Sequence, residues 1–514
     1  HWDMYTADTL RFEKLDILSQ RGIGHIKECA EIIRRNRGTK VDVHRVDAFK
    51  KDPAVLQQLR TGETNGCFYI ESPAMRGLLK KLRCDSYRGL VAASSIIRPG
   101  VAQSGMMREY IHRFHHPGDF RYLHPVMEQQ LKETFGVMVY QEDVIKICHH
   151  FAGLDLADAD VLRRAMSGKF RSGKAFERIA QKFFDNCRDR GYPDELTREV
   201  WRQIRSFAGY SFSKAHSASF AVESFQSLYL KTHFPLEFMT AVINNFGGYY
   251  RTWVYFNEAR RQGAQIHLPC VNRSEYKTSI TGSDIFIGFI HLQHLEKQCA
   301  EMLIAERDRY GAYRSLEDFL ERVPVGLEQV VILIRINALR FTGRSKKELL
   351  WDAHLILGNR QKKDPMRELF PVKKRDFTLP ELEQTALENA YDELELLGFS
   401  VTIPPFDLLQ TSYRGQIMAR EMLQHVGKKM RMVGNRVTVK HVRTRRGQWM
   451  NFGTFLDAEG EFFDVVNFPD SLKRYPYKGD GIYLIYGEIT EESGFPGLTV
   501  EKMAKLPFRP DPRY

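Results

Sequence analysis

The chain has 514 residues, 43% of them hydrophobic, and this length predicts three or four domains, each with a core of its own. A formal net charge of +12 and a pI near 9.2 favour a polyanionic partner, either nucleic acid or an anionic membrane. No apolar run approaches the roughly 20 residues that span a bilayer, no secretory pattern is present, and the start at His1 suggests a fragment. Seven cysteines, scattered singly, predict a cytoplasmic protein with reduced thiols and no structural zinc site.

The first 280 residues carry mainly helical patterns. Residues 1–40 are predicted to form a short extended piece followed by a helix, and residues 41–280 are predicted to be largely helical. One clear helix follows Pro193, with Asp194 as its cap and apolar residues at helical spacing up to Gly209. A second long helix is predicted from residue 219 to residue 244, broken or ended near Pro235.

The remaining chain changes character twice. Residues 281–355 are predicted to form short helices with glycines between them, and the proline-rich residues 356–427 resemble a linker with one helix. From residue 428 to residue 507, five short strands with tight turns indicate a small barrel, which fits an OB-fold. The predicted fold class is therefore multidomain and mainly α, with a carboxy-terminal β-barrel.

A basic segment, DADVLRRAMSGKFRSGK at residues 158–174, is the first candidate site. Arg163 and Arg164 lie on a helix, and Lys169 follows in a glycine-containing turn, a combination that suits phosphate recognition. A solvated basic face explains the same pattern and is the simpler interpretation. Asp158 and Asp160 are predicted to cap the helix rather than to bind a metal.

Two further segments carry candidate binding residues. GYSFSKAHSASFA, at residues 209–221, places Lys214 and His216 among aromatic and small residues before an apolar helix, where lysine meets phosphate and aromatic rings stack on bases. A structural role for His216 remains the alternative. SSIIRPGVAQSG, at residues 94–105, places Arg98 at a rigid turn.

In this order along the chain, the segments resemble motifs of the family C bacterial DNA polymerases, the DNA polymerase III alpha subunits. NGCFYIES resembles GVFQLES of that family, and IIRPGVAQSGMMREYIHR resembles its YRPGPMxSG motif. FGVMVYQEDVIKI, DADVLRRAMSGK and GYSFSKAHSASFAVESFQ continue the likeness over roughly residues 10–280. Weaker similarity to the family's helix-hairpin-helix region and OB domain continues to the end of the chain.

The resemblance implies a division into domains and a reaction. Residues 1–40 would be the end of the palm, a short α/β remnant, followed by fingers (41–280), a helix-hairpin-helix-like region (281–355), a linker (356–427) and an OB-fold (428–507). The implied reaction is nucleotidyl transfer from a dNTP to a primer 3′ end with two Mg²⁺ ions held by palm carboxylates. Asp16 matches one of the three catalytic, metal-binding aspartates. The other two belong to an earlier segment, so the chain by itself is expected not to extend primers.

The resemblance also assigns residues and partners. Arg163, Arg164 and Lys169 would bind the nucleotide's triphosphate, and Lys214 and His216 would line its sugar and base. Arg98 would be a further nucleotide-binding residue. Leu369 and Phe370 lie where a sliding-clamp peptide is expected. The implied partners are primer-template DNA, single-stranded template, dNTP, the sliding clamp and clamp-loader or replisome subunits, without a membrane.

One departure and one alternative accompany these expectations. Around residues 287–296 the family's glycine-rich hairpin reads GFIHLQHLE, which removes the close backbone approach to duplex phosphate. The alternative from a different class is a non-catalytic accessory subunit that binds single-stranded or duplex nucleic acid.

Overall fold

The computed structural model describes residues 2, 4–12, 20–97, 105–166, 173–208, 212–360, 384–444 and 446–514. Helices dominate these residues up to Leu397, and a closed β-barrel follows. The predicted class of a mainly α chain with a terminal barrel is thereby confirmed. The predicted palm remnant includes residues 13–19, which lie outside the described residues, and it stays a prediction.

Fifteen α-helices of the described residues precede the first strand. They are α1 (Met4–Thr9), α2 (Arg21–Arg37), α3 (Val46–Phe49), α4 (Pro53–Thr61), α5 (Pro73–Leu82), α6 (Tyr87–Ile96), α7 (Met106–His115), α8 (Pro125–Leu131), α9 (Gln141–His150), α10 (Leu156–Met166), α11 (Gly173–Asp189), α12 (Asp194–Ala208), α13 (Lys214–His233), α14 (Pro235–Asn244) and α15 (Thr252–Arg261).

Helix α13 is the central helix of this region. It packs against α2, α3, α4, α6 and α14, and small residues such as Ser217, Ala221 and Ser224 let its neighbours approach closely. The predicted break at Pro235 is confirmed, because proline cannot donate a backbone hydrogen bond within the preceding helix. The helix predicted after Pro193 is present as α12 and buries Val200 and Ile204, but Asp194, predicted as its cap, is its first residue.

The prediction that Asp158 and Asp160 cap a helix is wrong. Helix α10 begins at Leu156, so both aspartates lie within it. The side chain that accepts a hydrogen bond from an amide of the first turn belongs to Asp155, whose Oδ1 lies 2.7 Å from the backbone nitrogen of Asp158. Asp160 instead forms an ion pair with Arg163 one turn later.

The middle of the chain combines a small sheet with a second set of helices. Strands β1 (Gln265–His267), β2 (Ser279–Thr281) and β3 (Asp284–Phe286) form a sheet in which β3 pairs parallel to β1 and antiparallel to β2. The sequence did not predict this sheet, since strands of three residues are too short to show alternation. The helices that follow are α16 (Lys297–Tyr310), α17 (Leu316–Arg322), α18 (Leu327–Arg335), α19 (Lys346–Arg360) and α20 (Ala386–Leu397).

The terminal barrel contains the five strands that alternation predicted. They are β4 (Lys429–Arg443), β5 (Trp449–Leu456), β6 (Phe462–Asn467), β7 (Ile482–Glu492) and β8 (Phe495–Lys505), with helix α21 (Pro469–Arg474) between β6 and β7. The strand order β4-β5-β6-β8-β7 closes because β7 also pairs with β4, and β6 pairs parallel to β8. This arrangement is OB-like.

Charged and aromatic side chains attach the barrel to the helical region. The Arg76 guanidinium on α5 lies 4.0 Å from the centre of the Phe462 ring on β6. Arg261 on α15 forms an ion pair with Glu461, and Lys81 on α5 forms one with Glu492 at the end of β7. The barrel is therefore attached by ion pairs together with apolar contacts, since Val437 and Phe462 also pack against the helical core, while the buried residues inside the barrel form a separate core.

Among the described residues, no helix is both long enough and apolar enough to cross a membrane.

Candidate nucleotide and nucleic-acid site

The start of α13 is held in place by a carboxylate from α9. Both oxygens of Glu142 accept hydrogen bonds from the backbone nitrogen of Lys214, at 3.2 and 3.0 Å, and the Ser213 hydroxyl donates to the same side chain. Tyr140 and Phe212 form a short backbone bridge directly beside this contact. A negative charge at a helix N-terminus is favourable, so Glu142 fixes where the segment with Lys214 and His216 begins.

Lys214 points toward acidic and aromatic partners. Its Nζ lies 2.6 Å from a carboxylate oxygen of Glu133 and 5.2 Å from the centre of the Tyr140 ring, and its side chain is 39% exposed. An exposed ion pair of this kind is weak and exchanges readily for another anion. Lys214 is therefore available to a phosphate that displaces Glu133.

His216 lies between aromatic rings on the exposed side of α13. Its ring centre is 4.6 Å from that of Phe212 and 3.9 Å from that of Phe220, which follows one helical turn later. The imidazole itself is exposed. These surroundings differ from those of a buried structural histidine. A structural role was the alternative that the sequence left open for His216.

Arg163 makes a local ion pair. Its guanidinium contacts Asp160 at 2.8 Å, and only 19% of its side chain is exposed. Binding to phosphate would thus require Arg163 to leave Asp160. The backbone of Arg164 lies in α10, but its side chain lies outside the described residues.

Helix α9 connects the two candidate segments. Its first turn carries Glu142, which holds the start of α13, and its body packs against α10, the helix of Arg163. Asp143 stabilises the entry to α9 by accepting hydrogen bonds from the backbone nitrogens of Val139 and Tyr140 at 3.0 and 2.9 Å. Burial raises the pKa of Asp143 to about 6 despite these hydrogen bonds.

Five of the predicted site residues lie outside the described residues: Asp16, Arg98, Lys169, Leu369 and Phe370. Within the described part of the chain, no group of three or more His, Cys, Asp or Glu side chains could hold a metal ion.

The start of α2 approaches the same side of α13. A methyl group at Gly22 would collide with the Glu223 carboxylate on α13 and with the Phe68 ring, so glycine permits this close approach. One carboxylate oxygen of Glu223 is buried without a hydrogen-bond partner in the described structure, and burial raises the pKa of Glu223 to about 7. Residues 13–19, which include Asp16, directly precede this helix in the sequence.

The barrel presents exposed aromatic and basic side chains at the turn between β4 and β5. Trp449 is 53% exposed and Phe452 is 46% exposed, and the Arg443 guanidinium lies 4.7 Å from the centre of the Trp449 ring. Exposed rings beside basic residues are the combination that single-stranded nucleic acid binds by stacking and charge.

Sequence reasoning missed the residues that position Lys214 and His216. Glu133 and Glu142 lie 81 and 72 residues before Lys214, and no local pattern reports such a distant contact. Phe220 was visible in the sequence, since it follows His216 by four residues and shares its helical face.

Comparison with known families and proteins agrees with the order of these elements. Residues 23–191 match the bacterial DNA polymerase III alpha subunit finger domain, and residues 263–349 match a helix-hairpin-helix motif. The matches cover α2 to α11 and the small sheet with the helices that follow it. The chain belongs to the family of the bacterial DNA polymerase III alpha subunits.

Individual relatives show how much of such a protein the chain represents. It is 30% identical over 474 residues to the DNA polymerase III subunit alpha of Aquifex aeolicus, which is 91% of this chain and 40% of that protein. The Staphylococcus aureus protein of the same name is 30% identical over 482 residues, covering 92% of this chain and 44% of that protein. The Staphylococcus epidermidis protein of the same name is 28% identical over 513 residues, covering 98% of this chain and 47% of that protein. The chain thus spans less than half the length of these relatives.

Proposed function

We propose that this chain supplies the nucleotide-binding and DNA-binding parts of a DNA-templated DNA polymerase that acts in bacterial replication or repair synthesis. The single observation that carries the proposal is the start of α13, where Lys214 and His216 lie beside aromatic rings, in a helix that follows the residues 23–191 matching the finger domain. Residues 41–280 would be the fingers, 281–355 the helix-hairpin-helix region and 428–507 the OB-fold.

In the proposed reaction, a primer 3′-oxygen attacks the α-phosphate of a dNTP and pyrophosphate leaves. Two Mg²⁺ ions, when bound to palm carboxylates that include Asp16, would neutralise charge on the phosphates. The described residues act on the nucleotide itself. Lys214 exchanges Glu133 for a phosphate oxygen, and His216 with Phe220 provides an aromatic side for the sugar and base.

The proposal extends to residues that lie outside the described structure and to further partners. Arg98, Arg164 and Lys169 would join Arg163 at the triphosphate. The segment with Leu369 and Phe370 would contact a sliding clamp, and clamp-loader or replisome subunits would associate in the cytoplasm. Primer-template DNA and its single-stranded template would be the nucleic-acid partners.

Opposite changes at the Lys214–Glu133 pair test the nucleotide site. Lys214→Ala removes a charged hydrogen-bond donor and is expected to weaken dNTP binding about tenfold or more. Glu133→Gln removes the competing carboxylate and should tighten it about twofold. Equilibrium titration of the chain with a fluorescent dNTP measures both, and Arg198→Ala, in an exposed ion pair on α12, is the control. Equal affinities in all three variants would remove Lys214 from the site.

A second candidate function is that of an accessory subunit that only binds nucleic acid, and the barrel surface favours it. Trp449 and Phe452 are exposed beside Arg443 whether or not a nucleotide site exists. Trp449→Ala should therefore weaken binding of single-stranded DNA about tenfold, by loss of one stacking interaction. Weak DNA binding in Trp449→Ala together with unaltered dNTP binding in Lys214→Ala would select the accessory role.

A further inference from the structure

The rings of Phe68 and Tyr69, which contact Phe220, have no role in the function proposed above. Phe220 meets the rings of Phe68 and Tyr69 edge-on, each at 5.1 Å between ring centres, with interplanar angles of 71° and 82°. The Ser224 hydroxyl donates a hydrogen bond of 2.9 Å to the Phe68 carbonyl oxygen, which ties this loop to α13. Phe68, Tyr69 and Phe220 are all partly exposed, so the rings continue the accessible aromatic side that begins at His216.

Tyr69 is held in a backbone conformation that tyrosine disfavours. Its φ angle is +69°, in the left-handed region that suits glycine and tolerates asparagine. Such strain persists where surrounding structure enforces it, and it is concentrated at functional sites. The position is also a departure within the motif, because GCFYIES has tyrosine where GVFQLES has glutamine. An aromatic ring is thus present at a position where neither the backbone nor the related motif requires one.

A core role does not account for the ring. The neighbouring Cys67 and Ile70 are fully buried, whereas Tyr69 stays partly exposed between them. Its edge-on contact with Phe220 and its nearly parallel arrangement with Phe68, at 27°, fix the direction of the ring. A fixed, accessible aromatic ring stacks well on a planar base because little side-chain freedom is lost on binding.

We propose that Tyr69, held by Phe220, stacks on the base of the nucleotide bound at Lys214 and His216. The stacking would give this nucleotide site a preference for purine bases. This inference rests on the proposed function, since it assigns a second contact to the same ligand. A purine offers more stacking area than a pyrimidine, so Tyr69 favours purine nucleotides. Lys214 contacts the phosphates and therefore contributes equally to the binding of all four nucleotides.

Titration of the chain with 2-aminopurine deoxyribonucleoside triphosphate, whose fluorescence is quenched by stacking, tests the proposal. Tyr69→Asn keeps a residue that tolerates the left-handed backbone but removes the ring, and should weaken binding about tenfold and abolish the quenching. Tyr69→Phe retains the ring and should bind as the unmodified chain does. Phe220→Leu, which removes the supporting ring, is the second variant and should weaken binding in the same direction.

Two further readouts separate stacking from folding and from the phosphate site. Relief of backbone strain should make Tyr69→Asn more stable to urea than the unmodified chain while it binds the probe more weakly, and a merely structural ring would lower both stability and binding. Inorganic triphosphate, used as a competitor, should bind Tyr69→Asn unchanged and Lys214→Ala more weakly. Unaltered affinity and quenching in Tyr69→Asn would overturn the stacking role alone, whereas failure of the unmodified chain to bind either probe or triphosphate would overturn the proposed function with it.

Discussion

Lys231 and Glu258 form an ion pair that is almost completely removed from water. Their side chains are 1% and 4% exposed, with 3.0 Å between Nζ and the carboxylate, and Lys231 also donates to the carbonyl oxygen of Asn65. Burial alone would raise the pKa of Glu258, but Lys231 and Arg261 outweigh it and lower that pKa to about 2. The pair joins α13 to α15 and so supports the helix that carries the candidate site.

Removal of the lysine should destabilise the helical region. Lys231→Met leaves Glu258 with Arg261 as its remaining cation, and we expect a loss of about 3 kcal/mol in the free energy of unfolding. Urea unfolding followed by circular dichroism measures it. Lys297→Met, which breaks an exposed pair with Glu301, is the control and should change stability by less than about 0.5 kcal/mol. Similar losses in both variants would mean that burial of the pair does not matter.

His291 predicts a specific dependence of stability on pH. Burial lowers its pKa from 6.5 to about 4, so the folded chain keeps this ring neutral where the unfolded chain binds a proton. Stability from this residue is therefore complete above pH 6.5 and is lost as the pH falls toward 4. Each pH unit in that window costs about 1.4 kcal/mol.

His291→Phe should remove that dependence. Between pH 7.5 and pH 5 the unmodified chain should lose about 2 kcal/mol more of its unfolding free energy than the variant, because both share every other titrating group. Urea titrations at the two pH values measure the difference. His441→Phe, at an exposed histidine, is the control. If the unfolding free energy of His291→Phe depended on pH as strongly as that of the unmodified chain, His291 would be protonated in the folded chain, which would contradict the prediction.

Single residues also show how far sequence reasoning about the candidate site could go. Lys214 and His216 were proposed because a helix start with small residues and aromatics has a local pattern, and the structure places both at one end of α13. Glu133, which neutralises Lys214, was not predictable, because ion pairing across 81 residues depends on tertiary structure. Tyr69 was quoted in a motif but not recognised, since its left-handed φ is not visible in a sequence.

At the scale of elements, the barrel depends on close contact between β7 and β8. A methyl group at Gly487 would collide with the backbone of Thr499, at a position where the pairing of the two strands shifts register. At Gly497 in the same hairpin, an added methyl group would meet its nearest atoms at 3.8–3.9 Å, an ordinary contact distance. Gly487 is therefore a site of close backbone contact, and Gly497 is its matched control in the same hairpin.

Gly487→Ala should loosen the barrel and Gly497→Ala should not. We expect the first to cost about 2 kcal/mol, because the backbone must shift to admit the methyl group. Amide hydrogen exchange of peptides from residues 482–505 measures the change, with peptides from α13 as the internal reference. Equal protection in the two variants would contradict the close contact.

Elements with a strong period were predictable, and those without one were not. The five barrel strands follow from alternation, and α12 follows from apolar residues at helical spacing. Sheet β1–β3 was missed because three residues show no period, and Asp158 was misplaced because α10 begins earlier than its basic residues suggest. Helix boundaries depend on which side chain caps the first turn, here Asp155.

For the whole molecule, the large core of the helical region and the separate core of the barrel define the architecture of the described residues. The apolar core of the helices extends from α2 to α20, whereas the barrel has its own core, built around Phe455 and Phe463. Between them lie the Arg261–Glu461 and Lys81–Glu492 ion pairs. The finger-domain match ends at residue 191 and the helix-hairpin-helix match begins at residue 263, so the start of α13 lies between the two, whereas the similarity to the individual relatives extends over 91% to 98% of the chain.

Binding of primed DNA by the 514-residue chain as a function of salt tests the central claim that this chain is a nucleic-acid-binding part of a polymerase. With a net charge of +12 the chain should bind by displacing counterions from phosphates, and about six phosphate contacts would lower the affinity about 1,000-fold between 50 and 200 mM salt. Fluorescence anisotropy with a labelled primer-template measures the slope. Strong binding at low salt that falls steeply as salt rises is the predicted result. Binding that is absent, or that does not change with salt, would contradict the account.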